Sequence, residues 1–299
     1  MANHGWTRRD FFRLGAATGV VALGGPAVLT ACSEVPQQGE GGTLQRVKDA
    51  KTIKVGIAGE IPYGYTENGK VTGEAPEVAR AVFKNLGVDE VDAKQVEFGQ
   101  LIQALNAGQY DMVAAGMAVK PDRCENAQFS IVDYVTPTAL LVPKGNPKGI
   151  NNFDDLKAKG ETIAVVSGTI EQSVVKAAGI AADKIQTYDG PPELLQALTT
   201  KRAYCGALTD ITLRRLLEDN PDAPLEVTEG FVPVIDGKEQ IQAGGFVFRK
   251  DDKDLVDAFN KELKKLQDSG EWLKITEPFG FTKANEVPDD VTTEKLCQG

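Results

Sequence analysis

The chain has 299 residues, a formal net charge of −10 and a single histidine, His4. So acidic a balance argues against a nucleic-acid partner, because phosphate binding needs a basic face. No glycine-rich loop of the P-loop type is present, and no cofactor is implied.

Taken in order, the N-terminus reads as an export signal. Thr7-Arg8-Arg9-Asp10-Phe11-Phe12 resembles a twin-arginine signal, and Leu14–Leu29 is an apolar Gly/Ala-rich run. Its 16 residues fall short of the roughly 20 that a membrane-spanning helix needs. A packed helix is disfavoured, since the run is Gly-rich and has no polar face. It ends Leu29-Thr30-Ala31-Cys32, which resembles a lipobox. Residues 1–31 are therefore expected to be removed, leaving Cys32 lipidated and the protein tethered to the outer face of the cytoplasmic membrane. Their loss takes away three Lys/Arg and one acid, so the formal charge moves to −12. It also takes away His4, which excludes a Ser-His-Asp or Cys-His mechanism and most zinc sites in the mature chain. Residues 32–44, polar and rich in Pro and Gly, read as a tether.

From Thr52 strands and helices alternate, the pattern of an α/β protein. Ile53–Ile57 reads as a strand, Glu74–Leu86 as an amphipathic helix capped by Gly87, and Val96 as the end of a second strand. Leu101–Ala107 is a helix, Met112–Ala115 a buried strand, and Pro121 starts a short helix carrying Arg123. Tyr134–Val142 is a long crossing strand closed by Pro143. The alternation then restarts: helix Phe153–Ala158, strand Ile163–Val166, helix Glu171–Ala178, strand Lys184–Tyr188, helix Glu193–Thr199 and strand Tyr204–Leu208. Ile241–Phe248 is a second crossing strand, and Asp254–Ser269 a long helix capped by Gly270. Two lobes follow, residues 45–139 with 243–299, and residues 143–240.

Ligands of α/β sheets gather beyond the carboxyl ends of strands, and several chemistry-bearing residues fall there. Arg123 follows the Met112–Ala115 strand, and its planar guanidinium can grip a carboxylate through two parallel hydrogen bonds. Met117 lies beside the same strand end. Glu60 and Tyr63 follow the first strand, an acid next to an aromatic ring that suits an organic cation; Phe98 follows the second, facing either the cleft or the core. Thr169 opens a helix whose N-terminus can receive a carboxylate, a role compatible with a plain N-cap. Asp210 either meets the ligand's cationic end or caps a helix.

The order of strand, Gly116-Met117, Lys120-Pro121-Asp122-Arg123, Phe129-Ser130 and crossing strand resembles the polar-amino-acid family of periplasmic solute-binding proteins. The resemblance implies a type II two-lobed fold with a hinge of two crossing strands and ligand in the interlobe cleft. Ser130 is followed by Ile131-Val132-Asp133, not the family's usual Pro-Tyr tail, which suggests a subgroup. Gly73–Val78, Lys120–Cys124, Glu277–Phe281 and Thr293–Cys297 together look like the ectoine/hydroxyectoine-binding proteins of ABC importers, from about Ile53 to Cys297. By that resemblance Arg123 pairs the solute's carboxylate, while Glu60 faces its cation between Tyr63 and Phe98. Ala118-Val119 stands where some relatives place a third cage aromatic.

The resemblance also implies a monomer that delivers its solute to an ABC permease and meets the membrane only through its lipid. Of Cys124, Cys205 and Cys297, it selects Cys124–Cys297 as the disulfide in an oxidising compartment and leaves Cys205 free. Two alternatives stand: a receptor for another small zwitterion, such as a polar amino acid or betaine, and an enzyme of the cyclohexadienyl-dehydratase type. The lipoprotein signal and the missing imidazole count against catalysis, although a carboxylate base could serve it.

Overall fold

The computed structural model describes residues 42–299; the expected export signal and the expected lipidation site, Cys32, lie outside the described residues. Helix α1 (Gly42–Ala50) begins inside the stretch read as tether, and Val47 on it is fully buried. Next come β1 (Thr52–Ile57), a small hairpin of β2 (Tyr65–Glu67) and β3 (Lys70–Thr72), and α2 (Glu74–Asn85). Sequence reading places no strand in that hairpin, because three-residue strands carry too little periodicity. The first lobe continues through β4 (Glu90–Gln95), α3 (Leu101–Asn106), β5 (Met112–Ala118), α4 (Pro121–Cys124) and β6 (Gln128–Phe129).

The expected crossing strand Tyr134–Val142 is two strands, β7 (Tyr134–Thr136) and β8 (Thr138–Pro143). Pro137 separates them because it has no N–H to give to a ladder, and the two halves join different sheets. The second lobe holds α5 (Phe153–Lys159), β9 (Ile163–Val166), α6 (Ile170–Ala177), β10 (Ile185–Tyr188) and α7 (Pro191–Thr199). It ends with β11 (Cys205–Thr209), α8 (Asp210–Glu218) and β12 (Leu225–Val227). A second hairpin, β13 (Val234–Ile235) and β14 (Lys238–Glu239), precedes the return strand β15 (Gln242–Phe248). The first lobe then closes with α9 (Lys253–Ser269), α10 (Glu271–Thr276) and α11 (Thr293–Gln298).

The first sheet runs β4-β1-β5-β15-β6, with β7 also paired to β15; the second runs β10-β9-β11-β8-β12. In the first, β4, β1 and β5 are parallel and β15 antiparallel; in the second, β10, β9 and β11 are parallel and β8 antiparallel. Residues alternate between faces, so each sheet feeds two cores. In β5, Met112 and Ala114 pack with α2 and α9 residues, whereas Val113, Ala115 and Met117 pack with Leu101, Leu105 and Phe129. The crossings are stitched together: Gln242, Ala243 and Gly244 of β15 pair antiparallel with Thr136, Val135 and Tyr134 of β7. The carboxyl ends of β1, β5, β9 and β11 thereby open on one interlobe cleft.

Cys124 and Cys297 form a disulfide with Cα atoms 5.7 Å apart, fastening α11 to the arginine-bearing helix α4. Thr293 Oγ1 adds a hydrogen bond to Ser130 O at 2.7 Å. Cys205 is a buried free thiol that burial pushes well above its ordinary pKa. Among the described residues no helix is long and apolar enough to cross a membrane.

Candidate functional site

The turn after β1 is built to hold two side chains still. Gly59 N donates to Gly64 O and Gly64 N to Glu60 O, both at 2.9 Å, closing a loop with a cis Ile61–Pro62 peptide. The carbonyls of Pro62 and Tyr63 accept from the N–H groups of Glu74 and Ala75, which satisfies orphan donors of α2. The loop that carries Glu60 and Tyr63 is therefore clamped onto a helix terminus.

Tyr63 and Tyr134 stack, with ring centroids 5.3 Å apart, and Phe281 stands edge-on to both. Gly116 and Gly244 make this possible: a Cβ on Gly116 would overlap the Tyr63 ring, and one on Gly244 the Tyr134 ring. Tyr134 Oη donates to Gly116 O at 2.9 Å, and burial keeps both phenols protonated far above the usual range.

Arg123 is 6 % exposed, and burial lowers its pKa to about 10, still a cation at neutral pH. Its Nη1 donates to Ala118 O and its Nη2 to Gly168 O, each at 2.6 Å, while the guanidinium lies 5.3 Å from the Phe98 ring centroid. The two carbonyls belong to different lobes, so the guanidinium bridges the cleft. It keeps its Nε–H and one further hydrogen on each terminal nitrogen for a ligand.

Glu60 receives a hydrogen bond from Thr212 Oγ1 at 2.8 Å, again across the lobes. Burial, and to a lesser degree Glu171, raise its carboxyl pKa to about 7 in spite of that bond. Tyr63 Oη donates to Thr209 Oγ1 at 3.2 Å, and Lys120 Nζ to Ser173 Oγ at 3.2 Å. A Cβ on Gly168 would stand 2.7 Å from Gly99 Cα, so the backbones of the lobes touch there. The cavity left between these contacts measures about 30 Å³. That is room for a water or two, so a ringed solute enters only as the lobes part.

Glu60, Tyr63, Phe98, Arg123 and Thr169 all line this cavity. Thr169 is also the N-cap of α6, its hydroxyl accepting from Gln172 N. Met117 is not among the residues lining it: strand alternation turns its side chain away from Gly116 and Ala118, into the core and a neighbouring surface cleft. Asp210 lies beside the cavity, accepting from Thr136 Oγ1 at 2.9 Å and pairing with Arg214, while Thr209, not Asp210, caps α8. Sequence reasoning missed Tyr134, Gln242 and Glu171, which line the cavity too. The signal for Glu171 was slight, an acid in the first turn of a helix that opens on the cleft.

A profile of the bacterial extracellular solute-binding proteins, family 3, matches residues 53–282. A probable amino-acid ABC transporter periplasmic-binding protein of Sinorhizobium fredii is 34% identical over 260 residues, covering 85% of this chain and 86% of that protein. The arginine-binding extracellular protein ArtP of Bacillus subtilis is 30% identical, over 83% of this chain and 90% of its own. Among solved structures, EhuB in complex with hydroxyectoine superposes with a TM-score of 0.76 at 33% identity, covering 85% of this chain and 97% of that one.

Proposed function

The chain belongs to the bacterial extracellular solute-binding proteins of family 3, and from that premise we propose that it is the solute receptor of an ABC importer for ectoine or hydroxyectoine. One observation carries this reading: a buried guanidinium and a half-buried carboxyl, Arg123 and Glu60, face one cavity walled by Tyr63, Phe98 and Tyr134. Ectoine is a zwitterion with a carboxylate and a ring amidinium, so each end meets an opposite charge. A well-placed aromatic face adds about 0.5–2 kcal/mol for the cation, depending on desolvation. The likeness to the hydroxyectoine-bound structure supports the assignment. Lobe closure on the solute forms the surface offered to the permease. Cys32 anchors the protein, which acts as a monomer; Cys32→Ala remaining equally membrane-bound after export would refute the anchor.

A second reading, a receptor for arginine or another polar amino acid, is favoured by Ala118 at the position of a third cage aromatic and by the likeness to ArtP. Titration calorimetry of the exported protein with ectoine, hydroxyectoine and L-arginine decides between them. Micromolar or tighter binding of ectoine without arginine binding supports the first, and the reverse the second. A dehydratase on this scaffold would instead release a modified product from a prephenate-like substrate, and none is expected.

A further inference from the structure

A second carboxylate faces the cavity from the other lobe. Glu171, on the first turn of α6, is 2 % exposed. Gln242 Nε2 donates to its Oε1 at 2.8 Å and to Thr138 Oγ1 at 2.6 Å, so one amide ties the carboxylate to both crossing strands. The charged groups that face Glu171 are Arg123 from α4 and Glu60 from the β1 turn. The Thr169 hydroxyl and its own backbone N–H lie against it as well, and the phenols of Tyr63 and Tyr134 stand beside Glu60.

Two carboxylates, one per lobe, thus line one cavity with a single guanidinium when the cleft closes. That guanidinium already donates to the carbonyls of Ala118 and Gly168. Like charges in a dry site repel strongly unless a proton or another cation comes between them. A planar cation whose N–H groups point apart can satisfy both at once, whereas a quaternary ammonium has no hydrogen to give.

We propose that Glu171 is a specificity-determining residue, which with Glu60 clamps the solute's cation from both lobes and selects amidinium or guanidinium groups over quaternary ammonium. This rests on the zwitterion-receptor reading and names the cation class that the cleft closes on.

Glu171→Gln is the informative variant, because its amide oxygen still accepts from Gln242 while the charge is gone. Ectoine, L-arginine and glycine betaine are titrated into both proteins at pH 6 and pH 8, and ligand-free melting curves are taken at pH 5 and pH 8. The wild-type protein should bind ectoine or arginine and hardly bind glycine betaine. The variant should lose at least about tenfold in affinity at pH 8, the scale of one charged hydrogen bond. Wild-type affinity should fall from pH 8 to pH 6 as protons compete for the carboxyls, and less so in the variant. Carboxyls whose folded pKa is raised cost stability as pH rises from their unfolded range through the folded value, about 7 for Glu60. Without ligand, the variant should therefore melt higher than wild type at pH 8 and gain less at pH 5. Unchanged affinity with an unchanged pH profile would overturn the clamp, as would tight binding of glycine betaine by the wild-type protein. Should wild type bind none of the three solutes, the zwitterion reading fails instead. The melting comparison then decides alone whether the carboxylates oppose one another: a gain at pH 8 supports it, and no gain sinks it.

Discussion

Replacing Gly168 with alanine separates lobe closure from ligand contact. Gly168 sits at φ +76° between β9 and α6, and its added Cβ would stand 2.7 Å from Gly99 Cα on the other lobe. Carbon atoms pack at about 3.5–4.0 Å, so the lobes would be held roughly 1 Å apart at this point or the turn would distort. Two costs arise, and they fall on different equilibria. The left-handed backbone costs a residue with a Cβ about 1–2 kcal/mol of folding stability wherever it sits. The clash exists only when the lobes meet, so it opposes binding. Gly160, at φ +64° with nothing within 4 Å of its Cβ position, carries the first cost without the second. Melting curves and calorimetric titration with ectoine and L-arginine read the two. Gly160→Ala should lower Tm by a few degrees, since about 1 kcal/mol moves a protein of this size by roughly 2–4 °C. Its affinity should not change. Gly168→Ala should show a similar fall in Tm together with binding at least about tenfold weaker, or 1.4 kcal/mol. Gly99→Ala, whose Cβ would have its nearest neighbour, Ser167 O, at 3.7 Å, should bind as wild type does. Wild-type affinity in Gly168→Ala would refute closure through this contact.

Arg123→Ala should weaken ectoine at least about tenfold by calorimetry, because hydrogen bonds to charged groups are worth about 1.5–3 kcal/mol each. Arg123→Lys should restore only part, since an ammonium cannot hold two carbonyls and a carboxylate in one plane. Glu74 is fully buried with both carboxyl oxygens unpartnered, and Asp133 beside it accepts from Trp272 Nε1 at 2.8 Å. Burial raises both carboxyl pKa values, and for Glu74 the neighbouring Asp133 adds to the rise. The pair therefore stabilises most below the unfolded carboxylate range, about pH 4, and the contribution is lost as pH rises. Glu74→Gln should flatten that loss, giving a Tm nearer to or above wild type at pH 8 than at pH 5; a parallel shift at both would count against it. Reducing Cys124–Cys297 should cost about 2–4 kcal/mol of stability, read as a lower Tm that the Cys124→Ser/Cys297→Ser double variant reproduces.

The sequence by itself determined what depends on short range. Apolar periodicity located α2, α9 and the longer strands β1, β5, β9, β10, β11 and β15, and the residue types after β1, β5 and β9 marked Glu60, Tyr63, Arg123 and Thr169 as strand-end groups. The partner of Cys124 came from motif resemblance, and the fold set its Cα 5.7 Å away from a residue 173 positions later. Only the tertiary structure decided which side chains share the cavity. Met117 and Ala118 are neighbours in sequence, yet one rung of a strand sends them to opposite faces. Tyr134 looked like part of a continuous strand until Pro137 broke it and the Gly116 and Gly244 hollows seated its ring beside Tyr63. Glu60 meets Thr212 across 152 residues, and Glu171 meets Gln242 across 71. No local pattern records such pairs, because they exist only where two chain crossings bring separately folded sheets edge to edge. The charges lining the cavity, Arg123 with Glu60 and Glu171, are brought together by that meeting.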